Sequence, residues 1–241
     1  MSQVFPKWTN LIPTVAAPAG LLLLVGVCWG YMYYVDNKFF MVGYEPTQPV
    51  DYSHQIHAGK LGMDCRYCHS HIEESMHANI PSTQTCYNCH AADEASDQAL
   101  LNANLWTAHK INKNLIKVRE AANTGEPIQW RRVHKVPDYV NFPHDVHLNA
   151  GVSCYSCHGR IDQLAIVREE QPLSMGWCLS CHRNPATALV DNKGDLGAPI
   201  KITDLMNVAR QLNSEDQATK GEELAKFKKL QPPQTCGACH Y

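Results

Sequence analysis

The sequence predicts a mainly helical chain with extensive loop and little sheet, headed by one helix long enough to cross a membrane. Three observations carry that prediction. A stretch without charge runs from Trp8 to Val35, and no later segment shows the period-two alternation of a strand. Ten of the 11 cysteines fall in five short repeats separated by Gly- and Pro-containing loops.

The charge-free stretch is the first element. Leu11 to Tyr34 is long enough, as a helix, to span a hydrocarbon layer of about 30 Å. Pro13 and Pro18 fall in its first turns, Lys7 flanks one end, and Asp36 and Lys38 flank the other. Trp8, Trp29, Tyr31, Tyr33 and Tyr34 supply the aromatics expected at a membrane boundary. The small residues Ala16, Ala17, Ala19 and Gly20 precede the leucine run, the reverse of the order in a cleaved secretory peptide, so the span is expected to be retained. Val27 stands where a lipoprotein signal has a small residue, and Cys28 therefore reads as an apolar membrane cysteine. The expected division is an anchor at 1–40 and an extramembrane domain at 41–241.

The five repeats are Cys65-Arg66-Tyr67-Cys68-His69, Cys86 to His90 with Cys89, Cys154 to His158 with Cys157, Cys178 to His182 with Cys181, and Cys236 to His240 with Cys239. C-x-x-C-H is the attachment signature of c-type haem. The spacing has a chemical reason: two thiols one turn apart meet two substituents of one porphyrin, and the next histidine, His69, His90, His158, His182 or His240, reaches the iron. Zinc knuckles and redox dithiols also use C-x-x-C. Neither needs a histidine directly after every pair, so five c-type haems are expected. Because haem is attached outside the cytoplasm in bacteria, the anchor belongs in the inner membrane as a single pass, with everything after about Phe40 in the periplasm.

Opposing ligands are sought among the eight other histidines. Two blocks repeat: Tyr52-Ser53-His54-Gln55-Ile56-His57 precedes the first two sites, and Phe142-Pro143-His144-Asp145-Val146-His147 precedes the next two. Histidines three apart project from nearly one face of a helix. The repeat pairs His54 with the first site, His57 with the second, His144 with the third and His147 with the fourth. His134, in the ordered-looking segment Trp130 to Asp138, is the choice for the fifth. His77 ranks second, and Met175, beside Trp177, is a thioether candidate that more often packs on a ring. His71 and His109 read as surface residues. Six-coordinate irons conduct electrons, whereas an open position would bind substrate.

The repeats set subdivisions: a first dihaem repeat at 41–92, a helical connector at 93–141, a second dihaem repeat at 142–190, and a C-terminal extension with the fifth haem at 191–241. In the connector, Leu101, Leu105, Ala108, Leu115 and Val118 mark one or two amphipathic helices, ended by Asn123 to Pro127. A loop follows the fourth site through Pro185, Gly194, Gly197 and Pro199. A helix is then expected behind Ser214, with Gln217 completing a capping box, running to about Leu230 before Pro232 and Pro233. Its Lys226, Lys228 and Lys229 read as a solvated face. The net charge of −2 provides no basic stripe, which excludes nucleic acid as a partner.

Specific segments carry a family resemblance. Val118-Arg119-Glu120, Thr124 to Ile128, Trp130, Arg132-Val133-His134, Pro137 to Val140, Phe142 with His144 and His147, and Met175-Gly176-Trp177-Cys178 through Cys181-His182-Arg183 resemble the pentahaem cytochrome c subunit of bacterial alternative complex III. The fold this implies is a multihaem cytochrome c of repeated c3/c7-like units behind one transmembrane helix. It implies an electron-transfer subunit of a quinol:electron acceptor oxidoreductase in a respiratory or photosynthetic chain. The implied partners are an iron-sulfur subunit, polytopic quinol-binding membrane subunits, and a monohaem cytochrome c as acceptor. A stand-alone membrane quinol dehydrogenase and a pentahaem reductase are the alternatives.

Overall fold

In a computed structural model, residues 5–32, 42–91 and 113–240 are described. Tyr33, Tyr34, Asp36, Lys38, His109, the connector residues Leu101 to Ala108 and the 40/41 boundary lie outside them. The chain is mainly helical. No strand occurs among the described residues, only the isolated antiparallel bridges Val140–His240 and Val152–Leu189.

A 3-10 turn at Lys7–Asn10 leads into α1, Leu11–Tyr31. At about 1.5 Å per residue this helix matches the apolar thickness of a bilayer. None of its residues is buried, and its leucines and valines face outward. By length and composition it is the one described helix able to cross a membrane.

The remaining described helices are short, and five of them carry the C-x-x-C-H turns. They are α2 (Cys65–Cys68), α3 (Thr83–His90), α4 (Lys113–Thr124), α5 (His144–Ala150), α6 (Cys154–His158), α7 (Met175–Arg183), α8 (Leu205–Leu212), α9 (Gln217–Phe227) and α10 (Cys236–Cys239). Helix α4 is the described part of the expected connector. It buries Leu115 and Val118 and stops at Thr124, where Gly125 turns the chain at φ 77°. The first His-x-x-His block is a π-helical turn, Gln55–Lys60, whereas the second forms the α-helical α5.

The two halves interlock through backbone. Gln55 N–H donates to the Leu164 carbonyl at 3.0 Å, and a Cβ at Gly59 would stand 2.3 Å from the Asp162 carbonyl oxygen. Only glycine permits that approach. A small core of Leu148, Val190, Ile202 and Val208 packs with Ile72, Cys154, Tyr155, Ile200 and Leu212. It draws on Ile72 from the first half, on residues 148–190 and on the C-terminal segment.

Three details of the C-terminal segment differ from the sequence reading. Helix α8 was not anticipated; Asp204 caps it by accepting from Asn207 N–H at 3.2 Å, and its buried face is Leu205 and Val208. Helix α9 starts at Gln217, and the capping box behind Ser214 does not form. Gln217 is buried at 4 % exposure and donates instead to the Ala186 and Leu189 carbonyls at 2.8 and 2.9 Å. Those carbonyls have no water to turn to, and leaving them unpaired would cost more than an uncapped helix start. Lys228, read as solvated, is also inside. It bonds Asn192 Oδ1 at 2.9 Å and pairs with Asp195 at 3.5 Å.

Candidate functional site

Each C-x-x-C-H segment forms a helical turn, so its two thiols, three residues apart, lie on one face. Three of the turns begin where a side chain satisfies a free N–H group. Asp64 accepts from Arg66 N–H at 2.9 Å ahead of α2, Ser153 from Tyr155 N–H at 3.2 Å ahead of α6, and Ser174 from Trp177 N–H at 3.3 Å ahead of α7. The sequence reading missed these caps, although Asp64 and Ser153 stand directly before the first cysteine of their motifs.

One segment, residues 200–204, holds two of the caps. Ser153 Oγ–H donates to the Ile202 carbonyl at 2.6 Å, and Thr203 Oγ1–H donates to Asp64 Oδ2 at 3.0 Å, beside the Lys201–Asp64 ion pair. Burial raises the Asp64 carboxyl, but the bonds from Arg66, Lys201 and Thr203 outweigh it and hold the group well below the usual carboxylate range.

The first and third sites are consequently neighbours: the thiols of Cys65 and Cys154 act on each other, which with burial holds the Cys154 thiol well up. Further neighbours complete a series. Cys68 lies within electrostatic reach of Cys86, Cys157 of Cys181 and Cys178, and Cys178 of Cys239. The order in space is second, first, third, fourth, fifth.

Burial or a neighbouring thiol raises Cys68, Cys86, Cys154, Cys157, Cys178 and Cys181, whereas the reactive thiol of a redox dithiol is shifted down; of the shifted thiols Cys65 alone is lowered, by its neighbour Cys154. Burial pushes Cys157 up to about 12, with Cys181 and Cys178 adding to it. No disulfide links them. Among the described residues no three or more His, Cys, Asp or Glu converge as a tetrahedral zinc site would require.

The two His-x-x-His blocks repeat in geometry as well as sequence. Tyr52 stacks on His57 at 4.5 Å and meets His54 edge-on at 4.9 Å. Phe142 stacks on His147 at 4.6 Å and meets His144 edge-on at 4.9 Å. His57 Nδ1 bonds the Ser53 carbonyl at 2.9 Å, and His147 Nδ1 the Pro143 carbonyl at 2.7 Å. With Nδ1 committed to the chain four residues back, Nε2 is left as the free donor.

His57 faces His90 of the second site and His147 faces His182 of the fourth, each with ring centroids 6.0 Å apart. Two metal–imidazole bonds of about 2 Å each, plus the ring radii, need about that distance. His54 lies near His69 of the first site, its Nδ1 buried with no hydrogen-bond partner. Burial, then His69 and His57, lowers it to about 4, so it is a neutral imidazole with a lone pair to give. His144 stands between the first and third sites. It bonds the Met76 carbonyl through Nδ1 at 3.0 Å and lies within electrostatic reach of His77, His69 and His158.

His134 is not brought to the fifth site. It lies against His158 of the third, and the ring beside His240 is Tyr139, at 5.6 Å. Burial foremost, then His134, lowers His158 to about 3. Met175 is 66 % exposed, His77 is exposed, and His71 pairs at the surface with Glu74. The donor set at these turns (two thiols on one face, an adjoining histidine and, at two sites, an opposed imidazole) fits haem c and not zinc.

Comparison with known proteins agrees with this chemistry. The family described as cytochrome c7 and related cytochrome c matches residues 50–114 and 140–241. The chain is also similar to the menaquinone reductase multiheme cytochrome c subunit of Nitratidesulfovibrio vulgaris, 29% identical over 143 residues. That alignment spans 59% of this chain and 59% of the relative.

Proposed function

This chain is a member of the cytochrome c7 and related cytochrome c family, a multihaem electron-transport family, and from that premise we propose that it carries five c-type haems as the relay subunit of a membrane quinol-oxidising complex. Bound haem iron supplies reversible one-electron chemistry; the chain's own residues do the rest. The cysteine pairs at 65 and 68, 86 and 89, 154 and 157, 178 and 181, and 236 and 239 hold the groups by thioether bonds. His69, His90, His158, His182 and His240 would each hold an iron, with His57 and His147 as further ligands at the second and fourth sites and His54 and His144 at the first and third.

The observation that carries the reading is the unbroken series of cysteine neighbours from the second site to the fifth. A relay needs such a series, and His57 and His147, opposed to His90 and His182, close the second and fourth positions to substrate. Only twelve apolar side chains are buried among the described residues, which leaves porphyrin faces to supply the missing apolar core.

The motif resemblance favours assembly as in alternative complex III, with an iron-sulfur subunit and polytopic quinol-binding subunits as neighbours and a monohaem cytochrome c as acceptor. Helix α1 would anchor the chain in the bacterial inner membrane, with residues after about 40 in the periplasm. The name of the Nitratidesulfovibrio relative favours a second reading, in which electrons run the other way, into menaquinone. Solubilising the membrane, identifying the subunits that co-purify and assaying the preparation in both directions tests these. Recovery with an iron-sulfur protein and quinol oxidation support the first reading. Menaquinone reduction alone supports the second, and recovery of the chain by itself, active or not, overturns the assembly.

A further inference from the structure

His134 lies outside both His-x-x-His blocks, yet its ring stands edge-on to His158 with centroids 4.3 Å apart and planes at 84°. His134 Nε2 is 3.2 Å from His158 Nδ1. Two comparisons within the molecule identify that contact. The first is spacing: the histidine pairs placed to grip an ion from opposite sides stand 6.0 Å apart, and 4.3 Å with a direct nitrogen–nitrogen bond leaves no room for one.

The second comparison concerns the atom involved. At the first site His69 Nδ1 bonds the Asn79 carbonyl at 2.8 Å, and at the fourth His182 Nδ1 bonds the Pro233 carbonyl at 2.6 Å. Each bond takes up the nitrogen that does not face the iron and orients the ring. At His158 the atom in that place is His134 Nε2. The segment carrying it is fixed, since Val133 is buried and Arg132 Nε–H donates to the His134 carbonyl at 3.2 Å.

We propose that His134 ligates no iron and is the positioning residue of the third haem, its Nε2 accepting the Nδ1–H of His158 and thereby setting the ring's orientation, tautomer and donor strength. The proposal rests on the reading that Cys154, Cys157 and His158 hold a haem. Withdrawing an acceptor from an axial imidazole makes it a poorer donor, which destabilises the ferric state and raises that iron's potential.

The experiment compares wild type, H134A and H134Q as holoproteins in their membrane complex, by haem stoichiometry, electron paramagnetic resonance, carbon monoxide binding and potentiometric titration. In H134A all haems remain attached and low-spin, one low-spin signal moves, and one component shifts toward the reduced form about tenfold at fixed ambient potential, equivalent to 59 mV for one electron. H134Q, whose amide oxygen can accept the same bond, lies between H134A and wild type. A new high-spin, carbon monoxide-binding iron in either variant would mean that His134 is a ligand and overturns the proposal. So does a titration in which no component moves. If H134A fails to assemble, H134Q decides by the same two criteria. A C154S/C157S protein that retains every haem would instead sink the underlying reading.

Discussion

The rings of His147 and His182 lie 6.0 Å apart, 35 residues distant in sequence, and His57 and His90 repeat that separation in the other half of the molecule. Each pair joins the second histidine of a block to the second attachment site after it. The opposed rings form a clamp whose backs are fixed: a backbone carbonyl bonds His57 and His147, and an aromatic ring stacks on each.

Replacing His147 by alanine is therefore expected to leave the fourth haem attached, because its thioether bonds do not depend on the opposite ligand. One iron of the set becomes high-spin and binds carbon monoxide, and H57A does the same at the second site. H71A changes nothing, its side chain being 72% exposed and paired only with Glu74. Electron paramagnetic resonance and carbon monoxide difference spectra check all three.

The series of neighbouring sites predicts that position in space, not in sequence, sets the cost of losing a haem. C86S/C89S removes an end of the series, and the remaining haems are still reduced together in stopped-flow experiments. C154S/C157S removes the middle and leaves two groups reduced at rates at least about tenfold apart, consistent with the steep dependence of rate on barrier. Intact mass confirms one haem fewer in each protein.

Asp64 gives a pH-dependent prediction. Its carboxyl lies below its unfolded value of about 3.9, so the stabilisation it confers is complete above that pH and is lost as pH falls through it. D64N keeps an oxygen to cap α2 but loses the ion pairs with Arg66 and Lys201, and is destabilised by about 1 kcal/mol at neutral pH. The gap between D64N and wild type narrows below about pH 4. Denaturant unfolding at several pH values measures it.

Gly221 predicts a steric effect. A Cβ there would stand 1.9 Å from the Ala186 carbonyl oxygen, in the turn against which α9 packs. G221A must push α9 off that turn and break the paired bonds from Gln217, costing about 1–3 kcal/mol. Thermal unfolding of the holoprotein shows it as a lowered midpoint.

Much of the site was legible because its chemistry is local. Two thiols and a histidine within five residues need no tertiary information to be recognised, and an aromatic residue followed by His-x-x-His shows its repeat by inspection. The apolar character of α1 is similarly a property of composition. The caps were legible too, in Asp64 and Ser153, but were passed over. Helix α8 was legible as well, since Leu205, Val208 and Leu212 fall on one face behind the cap Asp204, but the capping box failed because Gln217 found buried carbonyls that no local pattern reveals.

The sequence alone determined what each turn can bind, since covalent attachment depends on residues a few bonds apart. Its repeat paired His57 with the second site and His147 with the fourth, as they stand, but it could not place His134. That depends on how the two halves pack, through the contact of Gly59 with Asp162 and through the 200–204 segment that holds Asp64 and Ser153 together. The contacts of Gly59 with Asp162 and of Asp64 with Thr203 join residues more than a hundred apart, and with that of Ser153 they turn the order one to five along the chain into second, first, third, fourth, fifth as neighbours. They also carry His134 to His158 and leave Tyr139 beside His240. Long-range contacts are fixed by excluded volume and buried hydrogen bonds, which act only once the chain is compact.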